Sequence, residues 1–317
     1  MLEYIAKEII EGRRLTKEDN LDFLLSCKLE ILLEQANKIR EALCGNHMDL
    51  CAIINGKSGC CSEDCKFCAQ SAKSKTEIEE YPFLEEEVIV DTGMEYQRNG
   101  IHHFSIVTAG RALLGEDLEK AIHSYHRLHK ESNLSLCACH GLLKEKELNA
   151  LKENGVTRYH INIETSRSYF ANICTTHTYD EKVETIKLAK KADLSVCSGG
   201  IIGMGESFKD RIDMALELAG LDVDSIPINV FTPISGTPFE KIEPMMGEDI
   251  LRTIAIFRFI LPDKEIRIAA GRRFLKENGR QAFLSGANAT ITGNMLTTVG
   301  SNINEDINMF KQMGYCI

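Results

Sequence analysis

The sequence predicts a (β/α)8 barrel of the TIM type with a helical extension at its N-terminus. Three observations lead there: eight short apolar runs of strand character recur, amphipathic segments of helical period separate them, and together they nearly fill 317 residues. An open doubly wound sheet has the same alternation. No GxGxxG turn accompanies it here, and eight units suit a closed barrel better.

The elements follow in order. Residues 1–48 read as helix, because apolar positions recur at three and four through "TKEDNLDFLLSCKLEILLEQANKIREAL", with Thr16 and Asp19 as an N-cap. The strand candidates are "LCAIIN" (50–55), "HFSIVT" (103–108), "LSLCAC" (134–139) and "RYHINIE" (158–164) in the first half. In the second half they are "LSVCSGG" (194–200), "SIPINVFT" (225–232), "EIRIAAG" (265–271) and "ATITG" (289–293). Helical segments such as "GEDLEKAIHSYHRLHKES", "LKEKELNALKENG", "DEKVETIKLAKKA", "FKDRIDMALELAGL" and "EDILRTIAIFRFIL" lie between them, several ending in Gly or Asn. No Pro/Ser-rich linker divides the chain. We expect an extension over residues 1–48 and one catalytic barrel, with a C-terminal segment, over 49–317.

Composition narrows the function. Lys+Arg of 37 against Asp+Glu of 47 leaves a net charge of -10 with no basic block, which argues against a nucleic-acid partner. No run of eighteen apolar residues exists and the first residues have no h-region, so a cytoplasmic chain without a membrane span is expected. Twelve cysteines in that setting point to metal or redox chemistry rather than to disulfides.

Four of those cysteines fall in "GKSGCCSEDCKFCAQS" (56–71). Cys61, Cys65 and Cys68 make C-x3-C-x2-C directly after the first strand, and Cys60 is left over. Three thiolates on one short loop can hold three corners of a [4Fe-4S] cubane and leave its fourth iron open. A structural zinc knuckle needs four ligands and usually pairs two C-x2-C units. No second pair follows, and His102, His103 and His140 lie in or beside strands, where histidines are commonly packing residues. The spacing is similar to that of the radical S-adenosylmethionine superfamily, in which the cofactor's amino and carboxylate groups chelate the open iron. Phe67, between the last two cysteines, is placed to pack near the adenine. Gly199, Gly200 and Ile201 in "GGIIGMGES" give a glycine-rich strand exit where backbone can approach a ligand.

A second constellation emerges from strand alternation, since residues two apart share a face. One face carries Cys51, Ile53 and Asn55 on the first strand, Cys137 and Cys139 on the third, and Asn162 and Glu164 on the fourth. Cys197, Asn229 and Arg267 continue it on the next three, and in a barrel this face is the lumen. Each buried cysteine taken singly is an ordinary small hydrophobe. Four on neighbouring strands opposite an arginine read as a site, because a buried arginine is costly unless it faces an anion. A sulfide-bearing cluster is such an anion.

From about residue 20 to the C-terminus the chain resembles the biotin synthase family. The resemblance is carried by "CSEDCKFCAQS", "YHINIETS", "TTHTYDEKVETI", "VCSGGIIGMGES", "PINVFTPISGTPF", "IRIAAGRR" and a late "LTT". It implies insertion of sulfur between two unactivated carbons of dethiobiotin. Cys61, Cys65 and Cys68 would hold the [4Fe-4S] cluster, and reductive cleavage of S-adenosyl-L-methionine would give a 5′-deoxyadenosyl radical that abstracts hydrogen from the substrate. Sulfide of an auxiliary iron–sulfur cluster would quench each carbon radical. Asn162 and Asn229 would meet the ureido ring, with Asn162 also near the cofactor ribose. Glu164 stands where an aspartate meets ribose hydroxyls, and Lys182 where an arginine often lies near the methionine carboxylate, so charge survives while bidentate geometry is lost. Thr297 and Thr298 would lie near the substrate carboxylate. A homodimer and an electron donor such as flavodoxin or ferredoxin are implied as well.

The auxiliary site departs from the family pattern of three cysteines and an arginine around a [2Fe-2S] cluster. Cys137, Cys197 and Arg267 match, but the second-strand cysteine is Ser105, a poor ligand for a soft metal. Cys51 and Cys139 are extra and should point into the same space. The reading favours a four-iron auxiliary cluster on Cys51, Cys137, Cys139 and Cys197, with a [2Fe-2S] cluster using Cys51 as the alternative. A superfamily mutase or lyase without sulfur insertion is the competing function, although it has no need of lumen thiols. A non-enzymatic iron–sulfur carrier has no need of the lumen asparagines. Cys27, Cys44, Cys174 and Cys316 carry no message at this level.

Overall fold

Nine strands, every one parallel to its neighbours, form the sheet in the computed structural model, which describes residues 1–296 and 300–317. They are β1 (Asp49–Lys57), β2 (His103–Thr108), β3 (Ser135–Cys139), β4 (Val156–His160) and β5 (Ser195–Cys197), then β6 (Gly200–Ile202), β7 (Ser225–Val230), β8 (Glu265–Ile268) and β9 (Ala289–Ile291). The order is β5-β4-β3-β2-β1-β9-β8-β7-β6, and Cys197 of β5 also pairs with Ser225 of β7. The sheet is therefore closed. β5 and β6 are two halves of one stave, so the eight predicted strands are the eight staves of the barrel.

The break in that stave has a steric cause. Gly199 packs so tightly on β7 that a Cβ there would overlap the carbonyl oxygen of Pro227. A second irregularity follows β4. The sequence predicts strand through Glu164, but regular pairing stops at His160. Glu164 adopts φ 70, and its carbonyl accepts from Ile201 N at 2.8 Å while its own N–H donates to Gly199 O at 3.2 Å. Backbone groups remain paired while the side chain turns into the barrel mouth.

The predicted helices form the outer layer at Gly115–Glu131, Glu145–Glu153, Tyr179–Lys191, Phe208–Gly220 and Gly247–Ile260. Glu86–Arg98 follows β1, and Ile303–Gln312 follows β9. The N-terminal region is less continuous than the periodicity suggests: its helices are Leu2–Ile10, Phe23–Ser26 and Leu29–Cys44. Thr16 and Asp19 do not cap a helix. Asp19 Oδ2 accepts from Thr16 N at 2.8 Å and Asp19 N donates to Thr16 O at 3.2 Å, so the pair closes a turn. The proposed division at residues 48 and 49 falls between the last of these helices and β1, and both sides share one hydrophobic core. Arg258, on helix Gly247–Ile260, is fully buried and donates to the carbonyls of Leu261, Pro262, Lys264 and Gly286 and to Asn288 Oδ1.

Candidate active site

The cysteine motif lies on the loop that leaves the C-terminal end of β1, the end at which barrel chemistry gathers. The loop folds back on itself: Cys61 N donates to Gln70 O at 3.1 Å, Ala72 N to Cys61 O at 2.8 Å, and Cys68 N to Cys65 O at 3.0 Å. Cys61, Cys65 and Cys68 thus share one curl, with Cys61 buried and the other two partly exposed. Cys60 is exposed and its thiol turns to Glu80 Oε2, 3.1 Å away. Three soft donors on one curl, with the fourth aimed elsewhere, fit a cubane that keeps one iron open.

A segment absent from the sequence-level site docks against that curl. Lys66 N donates to Ile173 O at 2.9 Å, and Asp64 Oδ1 accepts from Thr175 N at 2.8 Å and Thr176 N at 3.1 Å. Cys65 Sγ and Cys174 Sγ are 3.7 Å apart, and His177 Nδ1 lies 2.6 Å from Glu63 Oε2. The hydrogen bond from Cys65 holds the Cys174 thiol below the usual thiol range and pushes Cys65 up. Of these residues "CTTH" alone offered a signal, a cysteine and histidine three apart in the segment after β4.

Below the curl a cavity of about 310 Å³ runs down the lumen. Phe67 and Cys68 line its mouth, with Asn162, Glu164, Ile201 and Asn229 on its walls. Its floor carries Cys51, Ser105, Cys137, Cys197 and Arg267. The register explains the grouping: Ser105 pairs with Cys137, Cys51 with Ile291, and Pro227 with Arg267, so neighbouring staves present these side chains at adjoining levels. The neighbouring Cys137 thiol and Arg267 hold the Cys51 thiol below the usual thiol range, and Cys51 and burial push Cys137 well up. Burial pushes Cys197 up to about 11, although Arg267 and Arg158 oppose it. Cys139 shares the lumen side but stands behind His160, with its Sγ 3.1 Å from Nδ1, and does not line the cavity. Burial pushes its thiol up to about 12.

Arg267 has its charge answered by the protein. Its Nη2 meets Asp49 Oδ1 at 2.5 Å and Glu265 Oε2 at 3.0 Å, Nη1 donates to Thr290 O, and Nε to Ser225 Oγ. Asp49 also meets His103 Nε2 at 2.9 Å, and Glu265 receives Arg158 Nη1 and Nη2 at 2.8 and 3.2 Å. The anion that a buried arginine needs is thus supplied by the protein itself, as Asp49 and Glu265. Arg158 and His160 were missed, although both share the parity of Asn162 and Glu164 in "RYHINIE".

The remaining predicted residues are placed as follows. Asn162 Oδ1 accepts from Gly199 N at 3.0 Å and faces His160 Nε2 at 2.9 Å, which leaves its Nδ2 for a ligand. Asn229 Nδ2 donates to Gly200 O and its Oδ1 accepts from Ala270 N, both at 3.2 Å, so it ties β6 to the exit of β8 while facing the cavity. Lys182 is buried and pairs with Glu164 at 3.2 Å. Gly199 and Gly200 serve backbone packing directly, and Ile201 is the member of that trio on the cavity wall. Thr297 and Thr298 lie outside the described residues.

Comparison with known proteins decides the family. Residues 57–219 match the model of the radical SAM superfamily and residues 227–316 that of the biotin and thiamin synthesis associated domain. The biotin synthase of Clostridium beijerinckii is 57% identical over 316 residues, covering 100% of both chains. The chain belongs to the biotin synthase family. The biotin synthase of Alkaliphilus metalliredigens is 55% identical over 99% of each chain. Among solved structures, methylornithine synthase superposes with a TM-score of 0.85 at 23% identity, covering 98% of this chain and 96% of that one. A maturase of the [FeFe]-hydrogenase gives 0.84 at 16% identity, over 99% of this chain and 76% of that one. At such identities these two similarities establish the barrel fold. As a member of the biotin synthase family the chain is a radical SAM enzyme, and membership implies a [4Fe-4S] cluster, S-adenosyl-L-methionine and an auxiliary iron–sulfur cluster. Among the described residues no helix is long and apolar enough to cross a membrane.

Proposed function

We propose that this enzyme converts dethiobiotin to biotin, with the four-iron cluster on Cys61, Cys65 and Cys68 and the donated sulfur drawn from an auxiliary cluster on the barrel floor. One observation carries the reading: a single cavity joins Cys68 at its mouth to Cys51, Cys137 and Cys197 at its base. When bound, the two groups supply the reducing electron and the sulfide. The chain's own part is positional. Asn162 Nδ2 and the remaining capacity of Asn229 are polar anchors in an otherwise apolar wall, suited to a cyclic urea. Glu164, fixed by Lys182, presents a carboxylate to ribose hydroxyls at the mouth, and Phe67 offers an adenine contact. Enclosure keeps water from reactive carbon.

For the auxiliary group we retain a four-iron cluster on Cys51, Cys137, Cys139 and Cys197, with Arg267 beside it, and a [2Fe-2S] cluster using Cys51 as its rival. Cys51 is the better supported addition, because it lines the same cavity as Cys137 and Cys197 while Cys139 does not. Cys139 joins by turning from His160. A flavodoxin or ferredoxin as donor, a homodimer and a cytoplasmic site belong to the same proposal. The test is anaerobic incubation with dithionite, S-adenosyl-L-methionine and dethiobiotin. Release of 5′-deoxyadenosine with biotin is expected; 5′-deoxyadenosine without biotin would favour a mutase or lyase, and neither product would refute radical chemistry.

A further inference from the structure

We propose that Arg273 is a specificity-determining residue: its guanidinium takes the carboxylate at the far end of the substrate's aliphatic chain, in a side chamber at the barrel mouth. The inference rests on dethiobiotin being the substrate, with Asn162 and Asn229 holding its ureido end.

A second, smaller space of about 90 Å³ adjoins the lumen cavity. Thr232, Ala269, Ala270, Ile291 and Met295 line both, so the two are continuous. That shared wall is mainly apolar and suits a methylene chain. Beyond it the lining turns polar, with Arg272, Arg273, Asn278 and Ser301. A long substrate with a urea at one end and an acid at the other matches this order of surfaces.

Four arginines line the two spaces, and three already have carboxylate partners. Arg267 meets Asp49 and Glu265, and Arg158 meets Glu265. Arg272 Nη2 donates to Asp306 Oδ1 at 2.5 Å. Asp306 also accepts from Asn278 Nδ2 at 3.1 Å, and from Thr292 Oγ1 and Ser301 Oγ, both at 2.6 Å. Among the described residues Arg273 alone of the four has no carboxylate within ion-pair distance. Its charge is therefore the one that a ligand can answer.

Local geometry separates the two adjacent arginines. Gly271, at φ 82, turns the chain after β8, and a Cβ there would lie 2.5 Å from Val230. The 3-10 turn Arg272–Phe274 follows, with Arg272 buried toward Asp306 and Arg273 exposed at the chamber. The Arg273 guanidinium carbon lies 5.1 Å from the centroid of the Phe274 ring. Stacking of that kind limits how the planar fork turns while its N–H edge stays open to a carboxylate.

The test compares dethiobiotin with its methyl ester, which keeps the urea and the chain but lacks the charge. Enzyme loaded with its clusters under anaerobic conditions is used with S-adenosyl-L-methionine. KM is read from formation of biotin or its methyl ester, and Kd from equilibrium dialysis. The parent should favour the acid by about fivefold or more, and added salt should shrink that preference. Arg273→Met should raise KM and Kd for the acid by about the same factor and not those for the ester, so the preference disappears. Arg273→Lys should keep part of it, since charge remains while the fork is lost. A methionine variant that retains the parent's preference would overturn the proposal, as would one that loses acid and ester equally. The acid–ester comparison and its salt dependence also stand on the parent alone, and no preference there overturns the proposal even if the variant fails to fold. Failure of the parent to turn over either compound is a different outcome, and it would refute the underlying reading of the substrate.

Discussion

Arg267 and Asp49 face each other across 2.5 Å at the base of the barrel, both almost wholly buried. β1 and β8 both pair with β9, and Ala289 is the shared partner opposite each of the two residues, so the ion pair spans three staves. Removing Asp49 leaves the buried Arg267 with Glu265 as its remaining carboxylate, so the cost falls toward the lower end of the range for breaking a buried pair, about 3 kcal/mol. Asp49→Ala should lose stability of that order in chemical denaturation, whereas a paired Asp49→Ala/Arg267→Met variant should lose less than the sum. Strict additivity would mean that the pair is not a unit.

Iron counting addresses the auxiliary group. With a four-iron cluster, Cys139→Ala should lower the iron content beyond the radical-site cluster and alter its Mössbauer spectrum. Two irons beyond the radical-site cluster, unchanged in Cys139→Ala, would select the two-iron rival and confine Cys139 to its contact with His160.

The curl assigns the four clustered cysteines unequal roles. Cys61→Ala, Cys65→Ala and Cys68→Ala should each abolish release of 5′-deoxyadenosine. Cys60→Ala should leave it within a factor of about two, because that thiol turns outward to Glu80. Equal loss in all four variants would contradict the assignment.

Gly200 tests the stave break. A Cβ there would press on the Glu164 carbonyl and lie 2.5 Å from Met214 Sδ, so Glu164, which lines the cavity, would have to shift. Gly200→Ala should raise KM for S-adenosyl-L-methionine and cost about 1–3 kcal/mol of stability. An unchanged KM would separate this glycine from the cofactor site.

Arg258 tests the join between the N-terminal helices and the barrel. It satisfies four buried carbonyls and contacts Cys44 Sγ at 3.1 Å. Arg258→Met should destabilise by about 3 kcal/mol or more, with little change in kcat of the folded fraction. A melting temperature equal to the parent's would show that water replaces the guanidinium.

Local pattern determined much of this protein. Alternation placed eight staves, helical period placed the outer layer, and thiol spacing on one loop marked the radical-site curl, because each depends on neighbours only a few residues apart. The parity of β1, β3 and β5 also put Cys51, Cys137 and Cys197 on one face. Tertiary structure decided the rest. Asp49 lies 218 residues from Arg267 and Cys174 109 from Cys65, so no periodicity connects them. Closing the ring set stave against stave, answered the buried arginine with carboxylates from other strands, turned Cys139 toward His160, and docked the 173–177 segment on the curl. Pair chemistry of that kind depends on distance in space, which chain order does not encode.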